Sequence, residues 1–408
     1  MTEPIVLVSS HPPRPDHLAD FCLDAREFIR RHNPQHEVLV ISHTDARGEG
    51  VFPIIDLSDR EWHMRVAGKI NELNPHVVHL QYDEGMYGNV DGHGTEANPE
   101  GFLGLLSEIE CFPTVVEPHA IRARMRDADA EFVHLMCELA DVVLFKCHYH
   151  KWRLDWSFPG MGWKTPTNVL IVPHGSRPDR RYGVHEVPQL RRDLGLDKVP
   201  TLGEHLVGLI GWTQANSRWS ILTDIWEEIE REIRSRTGQH WDLLATGVLP
   251  DPWQPTEPAG GEAELRQLER KGLAHFYEFI PTGNNIYRML GACDFIVLPG
   301  TDDAQSAMLA RIIALNKPFI AAAPIEGMAA RTLESGGGLL FTNRRMLKDA
   351  VLRLACDEGL RLQLGNQLKS YLEDVVSWDL IAEQYNEAYE LARTAKLCGV
   401  PVDLTFEY

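Results

Sequence analysis

Residues 298–323 read LPGTDDAQSAMLARIIALNKPFIAAA, an apolar strand, a polar turn, a helix and a second apolar strand. A strand, a crossover helix and a further strand of this kind belong in a parallel sheet, so the fold is α/β. The turn raises a functional question. The start of a helix leaves unpaired amides that hold an anion without metal, yet Asp302 and Asp303 stand beside it and oppose one.

Working outward, the same alternation fills the chain. The amino-terminal half offers the strands IVLVSS, HEVLVISH, HVVHLQY, FPTVVEPH, DVVLFK and NVLIVPHG, separated by helical stretches such as LADFCLDAREFIRRH and EWHMRVAGKINEL. Residues 175–205 break the pattern with proline and charge, as a connection does. It restarts with LVGLIGW, WDLLATG, AHFYEFIP, DFIVLPG and KPFIAAA, after which the chain reads as helical to about Cys398. Two doubly wound Rossmann-like domains facing one another across a cleft are therefore expected: residues 1–180, a linker over 181–204, and residues 205–377, with a closing helix over 378–408 completing the first domain.

Composition narrows the function. The 408 residues exceed one ordinary core and suit two. A formal charge of −19 disfavours nucleic acid and anionic membrane surfaces. The start MTEPIVLVSS has no basic region before an apolar stretch, and no apolar run is long enough to span a bilayer, so a cytoplasmic protein without a membrane span is expected. Seven scattered cysteines without a Cys-x-x-Cys pair read as buried thiols. Dinucleotide, P-loop, zinc-protease and nucleophile-elbow signatures are missing. KCHYHKW at 146–152 has metal-ligating residue types but no second ligand pair; as a strand end it places Cys147 inward and the histidines at the surface, so no metal site is assigned.

Parallel sheets bind ligands beyond the carboxyl ends of their strands. There stand His11 and Arg14 after the first strand, Gln81 and Tyr82 after the third, and His119 after TVVEP, followed by Arg122, Arg124 and Arg126. In the second half Thr213, Gln214, Asn216, Ser217 and Arg218 precede the helix RWSILTDIWEEIEREI, and Gln305, Ser306, Ala307 and Met308 open the helix of the first-quoted stretch. Asn216 or Ser217 equally serves as a plain helix cap. Two helix starts converging from one sheet would neutralise a diphosphate without magnesium. Arg311, away from the stripe of Leu309, Ile312 and Ile313, is expected at the surface.

VLIVPHGS, LRRDLGL, LVGLIGWTQANSR, FIPTGNNIYRMLGACDFIVLP and SWDLIAEQYNEAYELA together resemble, over nearly the whole chain, the retaining glycosyltransferases of the GT-B fold, the sucrose-synthase and glycogen-synthase-like group. The resemblance implies a nucleotide-diphosphate-sugar donor of UDP or GDP type on the second domain, a small-molecule or glycan acceptor on the first, and no cofactor. It implies that His119 contacts the donor sugar and that Arg218, or Ser217, meets the diphosphate with Thr213 and Gln214. Ile280 then lies in the base-pocket segment, and Asp303, Gln305, Ser306, Ala307 and Met308 line the donor site. His11, Arg14, Gln81 and Tyr82 fall on the acceptor side. The sequence departs from the family pattern where its two glutamates, eight residues apart, would fall on Asp303 and Arg311, so it is a variant without the intact Glu-x7-Glu motif. Nucleotide-sugar epimerases, phosphorylases and a non-catalytic nucleotide-sugar binder on the same scaffold stay open as alternatives.

Overall fold

The computed structural model describes residues 3–14, 16–83, 86–87, 99–119, 121, 125, 127–199, 202–210, 218–247, 262–278, 283–300, 307–324 and 326–405. The chain divides into two compact units, Met1–Gly175 with Trp378–Tyr408, and Ser176–Ser377.

The first unit is built on β1 (Ile5–Val8), β2 (Val38–His43), β3 (Val51–Ile55), β4 (Val77–Tyr82), β5 (Thr114–Pro118), β6 (Val142–Phe145) and β7 (Val169–Ile171). All pair in parallel, in the order β3-β2-β1-β4-β5-β6-β7. Strands buried on both faces need continuous apolar runs, which is what Ile-Val-Leu-Val and Val-Val-Leu-Phe supply. Alternate residues serve opposite layers. Val6, Val8, Val78 and Val116 pack with α2 (Trp62–Leu73), α3 (Pro99–Glu108) and α4 (Asp127–Leu139). Ile5, Leu7, Val77 and Val115 pack with α1 (His17–His32) and the carboxyl-terminal helix Trp378–Cys398. Asp16 caps α1, its Oδ1 accepting from Ala19 N at 2.6 Å.

Helix α5 (His148–Ser157) precedes β7, and the second unit begins at Ser176. Residues 181–204 include α6 (Val187–Asp193), whose Leu190 is buried. The sheet comprises β8 (His205–Ile210), β9 (Trp241–Gly247), β10 (Ala274–Glu278), β11 (Phe295–Leu298), β12 (Phe319–Ala322) and β13 (Gly338–Phe341), parallel in the order β10-β9-β8-β11-β12-β13. Its helices are α7 (Ser220–Thr223), α8 (Trp226–Thr237), α9 (Glu262–Arg270), α10 (Gly283–Ala292), α11 (Ala307–Ala314), α12 (Glu326–Ser335), α13 (Arg344–Cys356) and α14 (Glu358–Tyr371); α15 is Trp378–Cys398.

The edge strands β3 and β13 are additions to the sequence reading. VFPII contains Pro53, which cannot donate to a ladder and is tolerated because β3 lies at an edge. The long helix expected after Arg218 is two helices, with a break at Asp224 and Ile225. Among the described residues no helix is long and apolar enough to cross a membrane.

Candidate functional site

In each sheet the strand order reverses beside the first strand, between β1 and β4 and between β8 and β11, and the carboxyl ends there are where such sheets hold ligands. At the first of these, β1 delivers Ser9, Ser10 and His11, β4 ends in Gln81 and Tyr82, and β5 ends in Glu117 and Pro118 before His119. His119 N donates to Tyr82 O at 2.8 Å, which fixes the turn as it leaves the sheet.

The face toward α1 and α15 changes character at this end. Below, its alternate positions are Leu7, Val77, Val115 and Leu144; the next ones up are Ser9, His79, Gln81, Glu117 and Lys146. Glu117, His79, Gln81 and Lys146 are fully buried and form one network. The Lys146 ammonium is ion-paired with Glu117 Oε1, which also accepts from the Tyr385 hydroxyl of α15 at 2.7 Å. Gln81 Nε2 donates to Glu117 Oε2 at 3.4 Å, while the Ser9 hydroxyl donates to Gln81 Oε1. His79 Nε2 lies 3.3 Å from Glu117 Oε2, and its Nδ1 lies 2.8 Å from the Tyr389 hydroxyl. Burial alone would push the Glu117 carboxyl up, but Lys146, with His79 and His119, outweighs it and holds the group well below the usual carboxylate range.

His119 rests on this layer, Nε2 being 3.9 Å from Glu117 Oε2, and the residue is 5% exposed. The ring meets the edge of Phe21 at 4.5 Å and lies 5.3 Å from His174, which Phe21 also contacts at 5.4 Å. Lys146 Nζ stands 4.9 Å from the Phe21 ring centre. The imidazole is thus oriented by a carboxylate, two rings and its own backbone. An imidazole so held presents a fixed polar edge to a ligand hydroxyl.

The other first-domain candidates fall at different depths. His11 is buried with Nδ1 3.1 Å from Pro12 O, and burial, against that carbonyl, holds its imidazole below the usual histidine value. Arg14 is partly exposed and ion-paired with Asp16 at 2.9 Å and Asp45 at 3.5 Å. Gln81 and Tyr82, expected to line the acceptor side, are both buried in the first domain. Gln81 belongs to the buried network, and Tyr82 is enclosed by Phe102 and Phe132, ring centres 4.9 and 4.7 Å away. Arg122, Arg124 and Arg126 lie outside the described residues.

In the second domain Thr213, Gln214, Asn216, Ser217, Ile280, Asp302, Asp303, Gln305 and Ser306 also lie outside the described residues. Arg218 is exposed, with φ at +49° and a carbonyl that accepts from Ile221 N at 3.1 Å as α7 begins. Ala307 and Met308 are half-buried at the start of α11. Arg311 is not at the surface: only 8% of it is exposed. Nearby, the Ser176 hydroxyl donates to Ala310 O of α11 at 2.9 Å.

Two readings of minor motifs are also corrected. In KCHYHKW, Cys147 is buried as expected, but α5 starts immediately and carries His150 into the core against Phe145; burial, with the nearby charges of Arg153 and Lys146, lowers its pKa to about 3. Cys111 and Cys398 are exposed, so not every thiol is buried. Among the described residues no group of three or more His, Cys, Asp or Glu is placed to hold a metal ion.

Sequence reading missed Glu117, Lys146 and His174 as members of the site. A weak signal was present: EPH at 117–119 and VPH at 172–174 both put Pro-His at a strand end.

No protein-family model matches the chain, and no curated protein sequence matches it. Solved structures do. HepE from Anabaena, in complex with UDP-glucose, is 16% identical with a TM-score of 0.66, covering 95% of this chain and 99% of its own. The sucrose-phosphate synthase of Thermosynechococcus elongatus is 15% identical with a TM-score of 0.66, covering 96% and 100%. WaaG, a glycosyltransferase involved in lipopolysaccharide biosynthesis, is 12% identical with a TM-score of 0.64, covering 94% and 99%. At these identities the likeness speaks for architecture, and it agrees with the two sheets: the chain has the GT-B fold, two Rossmann-like domains of seven and six parallel strands.

Proposed function

We propose that this protein is a retaining, metal-independent glycosyltransferase that moves a sugar from a UDP or GDP sugar to an acceptor hydroxyl. The second domain carries the donor nucleotide and the first carries the acceptor. The bond between the anomeric carbon and the diphosphate oxygen breaks, and the acceptor oxygen bonds to the same face of that carbon. The hydroxyl proton passes to the departing phosphate. No protein nucleophile takes part, so catalysis rests on position and on charge stabilisation. His119 orients the sugar. Arg218 and the helix start at Ser306 and Ala307 neutralise the leaving group, with Thr213, Gln214, Ser217, Ile280, Asp303, Gln305 and Met308 completing the donor site. His11 and Arg14 stand on the acceptor side.

The observation that carries this reading is His119 at the carboxyl end of β5, its main chain bonded to Tyr82, its ring packed on Phe21 and its Nε2 3.9 Å from a buried carboxylate. The GT-B fold and similar structures solved with UDP-glucose support it. A second reading, a non-catalytic nucleotide-sugar binder, draws support from Arg311, a buried cation where the resemblance places the second glutamate. The experiment is to incubate the protein with UDP- and GDP-sugars and an acceptor panel in excess chelator, and to read the product anomer by NMR. A product with the donor's anomeric configuration is expected. Inversion or a metal requirement contradicts the mechanism, and nucleotide binding without turnover favours the binder.

A further inference from the structure

Along α5 the surface is unlike that of the other helices. Tyr149, Trp152, Trp156 and Met161 are 37%, 53%, 78% and 38% exposed, four large apolar side chains within one short stretch. The three aromatic residues are spaced three and four apart, so they share one side of the helix, while His150, Arg153 and Leu154 are buried on the other. The rings are ordered relative to one another. Trp152 and Trp156 lie 6.2 Å apart with planes 26° from parallel, and Tyr149 meets Trp152 edge-on at 6.3 Å. Exposing two indoles in line gives up the burial such rings normally contribute, and apolar surface of this kind marks a binding face.

Charge selects the partner. Of the lysine and arginine of α5, Lys151 is matched by Asp155 at 3.1 Å, and Arg153 is buried with its guanidinium donating to Ile121 O at 2.7 Å. Among the described residues of α5, no lysine or arginine is therefore left unpaired at the surface for an anionic lipid or polymer. Flat aromatic faces without net charge suit the axial C–H face of a pyranose ring, and the indole N–H groups suit its hydroxyls. The position fits as well. Helix α5 leaves the carboxyl end of β6, the neighbour of β5, and the Arg153 bond ties it to the chain two residues beyond His119.

We propose that Tyr149, Trp152 and Trp156 form a stacking platform for a neutral oligosaccharide, the part of an extended acceptor that lies beyond the reacting hydroxyl. This rests on the reading of the first domain as the acceptor domain.

The test uses the full chain, with Trp152→Ala/Trp156→Ala and the rescue variant Trp152→Phe/Trp156→Phe, and maltohexaose, cellohexaose and chitohexaose as probes. Calorimetry and tryptophan fluorescence read binding, with UDP titrated in parallel. At least one hexasaccharide is expected to bind the wild type and quench its fluorescence. The alanine pair should weaken that binding about tenfold or more, the phenylalanine pair should restore it, and UDP affinity should not change in either. Hexasaccharide binding through the ridge without UDP binding overturns the parent reading and leaves the platform standing. No hexasaccharide bound by the wild type, or binding that survives the alanine pair, overturns the platform. So does a ridge that instead governs cosedimentation with phosphatidylglycerol vesicles, or the sedimentation coefficient of the protein itself.

Discussion

Glu117 and Lys146 form a buried ion pair within a polar layer of the sheet that also holds Ser9, His79 and Gln81. Such pairs contribute little net stability, while breaking one by removing a single partner costs about 3–5 kcal/mol. Glu117→Gln alone leaves Lys146 enclosed without its counter-charge, so the unfolding free energy from urea titration should fall by that order; Glu117→Gln with Lys146→Met should regain most of the loss. If the pair also orients His119, the double variant recovers stability but not turnover. The Glu117 pKa is depressed on folding, so its contribution is complete above its ordinary value of 4.5 and is lost as pH falls from there toward the folded value. The gap between wild type and Glu117→Gln should therefore narrow below about pH 4.5, and an unchanged gap would place the carboxylate elsewhere. His150 gives a second pH signature. The unfolded chain binds its proton near 6.5 and the folded one only near 3, so stability rises with pH across that window by about 1.4 kcal/mol per unit. His150→Leu should flatten the dependence between about pH 4 and 6 in urea titrations, and an undiminished slope would contradict the buried neutral imidazole. His119 was legible because a polar residue directly after an apolar strand has one place to go. Its supports were not, since nothing in periodicity distinguishes a strand end that buries a charge pair from one that meets water.

At the scale of elements, α15 shows how a carboxyl-terminal segment joins an amino-terminal domain. Trp378 at its start is fully buried, its ring 5.1 Å from Phe21 and 6.0 Å from Phe28 of α1. A Cβ placed on Gly175 would collide with that indole, so the position admits no side chain. Trp378→Ala should cost about 3–5 kcal/mol, and Gly175→Ala about 1–3 kcal/mol through overpacking, both read by chemical denaturation. Wild-type midpoints in these variants would mean that α15 is not anchored there. The crossover helices and interior strands were legible from their periods, as was the closing helix. The edge strands were not: VFPII is short and carries Pro53, and GLLF lies within a stretch read as helical. Nor was the α7–α8 break, which tertiary context imposes on a segment whose period reads as one helix.

For the whole molecule, alternating strands and helices were enough to give two parallel sheets, whereas which strand ends adjoin follows from the strand order that packing selects. The polar segments at 211–217, 279–282 and 301–306 read only as turns in the sequence, and they lie outside the described residues. In the proposed function the second domain binds a nucleoside diphosphate while His119 of the first acts on the sugar. Parallel calorimetry and turnover on wild type, Arg218→Ala and His119→Ala separate the two roles most directly. Wild type should bind UDP or GDP without added metal. Arg218→Ala should weaken that binding by about 1.5–3 kcal/mol, and His119→Ala should keep it while turnover falls about a hundredfold. Binding of no nucleoside diphosphate by the wild type, or equal loss of affinity and turnover in His119→Ala with Arg218→Ala unchanged, would contradict it.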